Sequence, residues 1–152
     1  MADLDATFPR GQCRIGLSTI ISVTRVLVAT DSHFLSRTVE AALADDDTEI
    51  IRVASGTEVR AAVQAHIPDV VICDLQITNM GGVAACLDLR MEAEMQRLPQ
   101  TRILLLLDRE ADIYLAQQAK ADGWLVKPLD SIRLQQALSP LTKEISISES
   151  GH

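Results

Sequence analysis

Val70-Val71-Ile72-Cys73-Asp74 is four apolar residues closed by an aspartate. A run with no polar alternation is the pattern of a strand covered on both faces, as in a parallel sheet between two layers of helix. Upstream of it, Val59, Val63 and Ile67 recur at i, i+4 and i+8, one face of a helix. Before that come a strand-like run over Glu49–Val53, then a helical stripe of Leu35, Val39, Ala42 and Leu43 with Ser32 or Asp31 placed to cap it, and a first strand, Val26–Ala29. Downstream, the Gly81-Gly82 break opens a helix through Leu87 and Met91 that ends near Pro99. Ile103–Leu107 is the most hydrophobic run and predicts a buried strand. A helix from about Arg109 to Lys120, a short strand Gly123–Val126, and a last helix striped by Leu134, Ala137, Leu138 and Leu141 complete the chain. Strands alternating with crossover helices predict an α/β fold, (βα)₅, with a doubly wound five-stranded parallel sheet.

The 152 residues suit one domain. The pattern occupies residues 24–142; residues 1–23 form an N-terminal extension, and the polar stretch 143–152 reads as a frayed tail. Aromatic residues are only 3% of the chain, so the core must be aliphatic. A net charge of −7, with no locally basic stretch, argues against a nucleic-acid surface, because phosphate binding needs a positive footprint. Cys13, Cys73 and Cys86 form no CxxC pair and suit a reducing compartment. His33, His66 and His152 match no metal-ligand spacing. The start, Met1-Ala2-Asp3-Leu4-Asp5, is acidic where a secretory signal is basic. The apolar patch Ile15–Val23 is too short and too interrupted to span a membrane. The expectation is a soluble, cytoplasmic protein.

In an open parallel sheet, ligands bind beyond the carboxyl ends of the strands. The residues standing there are Thr30-Asp31 after the first strand, Asp74 after the third, Leu107-Asp108 at the fourth and Lys127-Pro128 after the fifth. Taken singly, each has a plain explanation: Asp31 as a helix cap, Asp74 as a turn aspartate, Lys127 as a solvated charge. Together they bring two carboxylates, Asp31 and Asp74, and one lysine to the same edge. Two neighbouring carboxylates call for a hard cation, and Mg²⁺ takes oxygen ligands while keeping several waters. Lys127 can hold a phosphoryl oxygen as a compact point charge. The chemistry implied is phosphoryl transfer to a carboxylate nucleophile.

At these residues the chain resembles the receiver domains of bacterial response regulators. The resemblance spans roughly Thr24 to Leu141. It is strongest in Pro68-Asp69-Val70-Val71-Ile72-Cys73-Asp74-Leu75, with Gly81-Gly82 beyond, and in Ala121-Asp122-Gly123-Trp124-Leu125-Val126-Lys127-Pro128-Leu129-Asp130. It implies a flavodoxin-like sheet of order 2-1-3-4-5, with 24–142 as the receiver domain. By the same resemblance Asp74 is the phospho-acceptor, Asp31 binds Mg²⁺ with Asp74 and the backbone carbonyl of Gln76, and Lys127 pairs with the phosphoryl group. Trp124 matches the switch aromatic, and the Lys127–Pro128 peptide is expected to be cis. The donor would be a sensor histidine kinase or a phosphotransfer protein. With only about ten residues after the last helix, the reading is a single-domain regulator. Its output would go through contact with a downstream protein, a phosphorelay or homodimerisation rather than direct DNA or membrane binding.

Two positions depart from the family pattern. Thr30 replaces the first of two acids, removing a negative charge from the metal site, although its hydroxyl can hold a metal-bound water. Leu107 matches the switch position at which the family has Ser or Thr, and Ile103–Leu107 contains no hydroxyl. Both departures favour an alternative, a phosphorylation-independent pseudo-receiver acting as a protein-binding module. An enzymatic alternative, a Mg²⁺-dependent phosphatase working through an aspartyl phosphate, meets Gln76 where it needs a second acid. A flavodoxin-like cofactor protein needs a Gly/Ser/Thr-rich phosphate loop after the first strand, and none follows it here.

Overall fold

The computed structural model describes residues 23–44 and 47–149. The readings of residues 1–22, Cys13 and His152 lie outside the described residues. The strands are β1 (Thr24–Ala29), β2 (Thr48–Val53), β3 (Val70–Asp74), β4 (Arg102–Leu107) and β5 (Gly123–Val126). Between and after them run α1 (His33–Ala42), α2 (Val59–His66), α3 (Gly82–Glu94), α4 (Ile113–Gln118) and α5 (Ser131–Glu149). All four strand pairings are parallel and the sheet order is β2-β1-β3-β4-β5, the flavodoxin-like order expected.

The unbroken apolar runs have the cause inferred for them. Leu27, Ala29, Val71, Cys73, Ile103, Leu105 and Leu107 face one core, packed by Val59, Val63, Ala85, Leu89 and Ala116 from α2, α3 and α4. The alternate residues, Val26, Val28, Val70, Ile72, Leu104 and Leu106, face a second core against Val39 of α1 and Leu134, Leu138 and Leu141 of α5. Successive side chains of a strand point to opposite faces, so each strand feeds both cores. Edge strand β2 is covered only in part, which is why it tolerates Glu49 and Arg52.

Three helices differ in extent from the sequence reading. α3 stops at Glu94 rather than near Pro99, because Gln96 turns left-handed (φ 62°) and the N–H groups of Arg97 and Leu98 fold back onto the Glu92 carbonyl. The segment expected as a helix over Arg109–Lys120 begins instead with a tight 3₁₀ turn, Glu110–Asp112, pinned by the Asp112 carboxylate, which accepts the Arg109 N–H at 3.2 Å. Its α-helical part, α4, ends at Gln118, two residues before left-handed Lys120. α5 continues to Glu149, through most of the stretch read as a tail, and no glycine or proline interrupts residues 141–149. Ser32, not Asp31, caps α1.

Gly82 places the end of β3. Its N–H donates to the Leu75 carbonyl at 3.0 Å, and a Cβ there would lie 2.6 Å from the Asp74 carbonyl oxygen and 2.8 Å from Leu75 Cα. Gly82→Ala is therefore expected to lower stability by about 1–3 kcal/mol, read as a lower urea midpoint; a wild-type midpoint would refute this close approach. Burial pushes the Cys73 thiol up to about 12 and the Cys86 thiol up to about 11. Both should resist a thiol reagent at pH 8 in the folded protein and react once urea unfolds it, as peptide mass mapping would show.

Candidate functional site

Because β1, β3, β4 and β5 are parallel, the first polar residues beyond their apolar runs meet at one edge. Asp74, the last residue of β3, is 3% exposed and lies at the centre. The Lys127 ammonium, just past β5, donates to Asp74 Oδ1 at 2.8 Å. The Gln76 N–H reaches the same oxygen at 3.2 Å. Buried Thr30, just past β1, donates its hydroxyl to Asp74 Oδ2 at 2.9 Å and accepts the Ser32 N–H at 3.1 Å. Its single proton thus goes directly to the aspartate. Oδ1 carries two donors and Oδ2 one, leaving Oδ2 the less loaded oxygen.

Asp31 is exposed at the rim. Its Oδ2 accepts the Thr78 N–H at 3.1 Å and the Thr78 hydroxyl, fastening the β3–α3 connection to the end of β1. The 3₁₀ turn Gly56–Glu58 holds this connection from the other side, since the Gly56 N–H donates to the Thr78 carbonyl at 3.0 Å.

Leu107 does not line the site. Its side chain is fully buried with Ile103 and Leu105, on the face of the sheet opposite Asp74 and Leu106. Only its carbonyl turns toward this edge, accepting the Lys127 N–H at 2.8 Å. The side chain that occupies this corner belongs to Asp108, which accepts a second hydrogen bond from the Lys127 ammonium at 2.9 Å. This corrects the sequence assignment, and the reason is alternation: β4 keeps its period of two through Leu107, so the following residue returns to the side of Leu106.

The lysine thus bridges two carboxylates. Burial alone would lower its pKa, but hydrogen bonds and charge from Asp74 and Asp108 outweigh that and raise it. The Lys127 hydrogen bond in turn holds the Asp108 carboxyl below the usual range, against the opposing effect of burial and with help from the Gln76 side chain. Trp124 of β5 is half-buried, packed against the α2–α3–α4 core. The Lys127–Pro128 peptide is cis, as expected.

The sequence survey placed Asp108 at this edge without a role; its position after β4 was the available signal. Thr78 carried no signal, because its partner lies 47 residues away. Among the described residues no three acidic, histidine or cysteine side chains are grouped to hold a metal. The donors expected for one are two carboxylates and a carbonyl, an all-oxygen set of the kind Mg²⁺ accepts together with water.

Comparison with known proteins identifies the family and the fold. A family model described as response regulator receiver domain matches residues 26–139. A nitrate/nitrite response regulator protein homolog from Haemophilus influenzae is 30% identical over 129 residues, 83% of this chain and 61% of the relative. A protein-glutamate methylesterase/protein-glutamine glutaminase 1 from Caulobacter vibrioides is 30% identical, covering 82% of this chain but only 36% of the relative. The chain therefore spans less than two thirds of these relatives. The chemotaxis response regulator CheY4 of Vibrio cholerae superposes with a TM-score of 0.70 at 28% identity, covering 79% of this chain and 99% of that one.

Thr30→Val should leave Asp74 Oδ2 and the Ser32 N–H without their partner and cost about 1.5–3 kcal/mol of stability in urea titration, while Thr30→Ser keeps most of it. Equal midpoints for Val and wild type would show that this hydrogen bond contributes nothing.

Proposed function

This chain belongs to the response regulator receiver domain family, and from that premise we propose that it takes a phosphoryl group on Asp74. Receiver domains are signalling phospho-acceptors of two-component systems, and they interact with histidine kinases or phosphotransfer proteins. For this chain the donor would be a sensor histidine kinase or a phosphotransfer protein of a relay. Output would go by contact with a downstream protein or a second copy of the chain. The observation that carries the proposal is the Asp74 carboxylate at the sheet edge with the Lys127 ammonium 2.8 Å away.

In the transfer an Asp74 oxygen attacks the phosphorus of the donor. The new O–P bond forms as the P–N bond of a phosphohistidine breaks, and its electron pair returns to the ring nitrogen, leaving a neutral imidazole whose other nitrogen keeps its proton. Lys127 is positioned to hold a phosphoryl oxygen and to offset the charge that gathers there. Thr30 and the Gln76 N–H orient the carboxylate. Asp31, Asp74 and the Gln76 carbonyl are the groups that would hold Mg²⁺, which when bound supplies positive charge to the phosphoryl oxygens. Among the described residues no helix is long and apolar enough to cross a membrane. The proposal places the protein in the cytoplasm, where the free thiols of Cys73 and Cys86 stay reduced.

Treatment with acetyl phosphate and Mg²⁺ should add one phosphate mass to the wild-type chain and none to Asp74→Ala or Asp74→Asn. The fluorescence of Trp124, the only tryptophan, should change with beryllium fluoride in wild type alone. A gain in mass that survives Asp74→Ala would move the acceptor elsewhere. A chain that never gains mass or responds would leave the pseudo-receiver reading.

A further inference from the structure

The proposed transfer gives no role to Asp108, although it is the second anion on the lysine that must serve the phosphoryl group. Its position is fixed by backbone. The Leu106 carbonyl accepts the Leu75 N–H at 2.9 Å and the Leu107 carbonyl accepts the Lys127 N–H at 2.8 Å, so the chain just before Asp108 is tied to both neighbouring strand ends. Just after it, Arg109 and Asp112 form the turn that leads into α4. Asp108 is the joint between the site and that turn.

We propose that Asp108 is an internal competitor for the phosphoryl position on Lys127, and that phosphorylation of Asp74 expels it. This rests on Asp74 being the acceptor. An ammonium has three N–H groups, and two already point to carboxylates at 2.8 and 2.9 Å. The acceptor is 3% exposed, and Asp108 occupies one of the lysine N–H groups that an incoming phosphoryl oxygen needs. Transfer from acetyl phosphate forms the Asp74 O–P bond and breaks the bond to the acetyl oxygen, which leaves as acetate with the electron pair. A singly charged carboxylate thereby becomes an acyl phosphate of charge about −1.5 to −2, taking the charge of a phosphorylated side chain. Asp108 then faces a stronger anion across a shared cation, and like charges at that range repel. It is the weaker competitor because its side chain is one-third exposed and water can take the place of the lysine.

The direction of the switch follows. A hydroxyl at this corner would be drawn toward the phosphoryl group; a carboxylate is driven away, taking Arg109 and the turn Glu110–Asp112 with it. The inactive state of this chain is thus held by an ion pair, and its active state is marked by release of the β4–α4 connection.

The test compares wild type, Asp108→Asn, Asp108→Glu and, as a charge-matched control, the exposed Glu110→Gln, each checked for folding by circular dichroism. Intact mass follows phosphate gain from acetyl phosphate with Mg²⁺, and hydrogen exchange follows residues 109–113. Asp108→Asn should gain phosphate about three- to fivefold faster than wild type, the equivalent of losing one partly exposed ion pair. Asp108→Glu and Glu110→Gln should stay within about twofold of wild type, and added salt should narrow the Asn advantage. In wild type, phosphorylation should speed exchange over 109–113; in Asp108→Asn that segment should exchange fast before and after. Equal rates for wild type and Asp108→Asn, or slower exchange in the phosphorylated wild type, would overturn the competitor role while leaving Asp74 as acceptor. Slower gain in Asp108→Asn together with weaker Mg²⁺ binding would make Asp108 a metal ligand instead. No phosphate on any variant would remove the acceptor reading, and the competitor with it.

Discussion

The central constraint is that β1, β3 and β4 are buried on both faces. A strand in that position admits no polar side chain until it leaves the two cores, so each apolar run ends at its first hydrophilic residue. Because the strands are parallel and in register, those endings fall along one edge of the sheet. Thr30, Asp74, Asp108 and Lys127 are neighbours for that reason, although they are spread over nearly one hundred residues of sequence. The site is a by-product of where burial stops.

Within the site, one ammonium organises the rest. Lys127 is held to Asp74 and to Asp108 at nearly equal distances, and its charge offsets the cost of keeping the Asp74 carboxylate almost wholly out of water. Thr30 serves Asp74 from the other side. Where the family has an acid at the end of its first strand, this chain has a neutral donor. Where it has a hydroxyl at the end of its fourth, this chain has an acid. One negative charge is lost at β1 and one is present at β4, so the cluster still sets three carboxylates against one lysine. Compared with the family pattern, one carboxylate fewer stands at the end of β1 and one more stands beside the lysine.

The connections around the site are held from a distance. Thr78 binds Asp31 and, through its carbonyl, Gly56. Gly82 lets α3 start against the backbone of Asp74 and Leu75. The β3–α3 connection is therefore fastened to the β1 and β2 ends of the sheet, whereas the β4–α4 connection rests largely on Asp108 and the Arg109–Asp112 turn.

The strand runs, their order along the chain and the edge at which Asp74 and Lys127 meet were all legible in the sequence, since periodicity and the first polar residue after an apolar run are local signals. The cis Lys127–Pro128 peptide came only with the family resemblance. Helix ends were less legible: α3 and α4 finish early at left-handed Gln96 and Lys120, where neither glycine nor asparagine marks the turn. Which side chain fills the corner after β4 was decided by tertiary structure. Matching letters to the family pointed to Leu107, but the pleat of β4 sends Leu107 into the core and brings Asp108 to Lys127. A one-residue difference is invisible in composition yet moves a side chain to the other face of the sheet. The partners of Asp31 and Asp74 depend in the same way on contacts between residues some 45 positions apart, which only the packed sheet brings within hydrogen-bond reach.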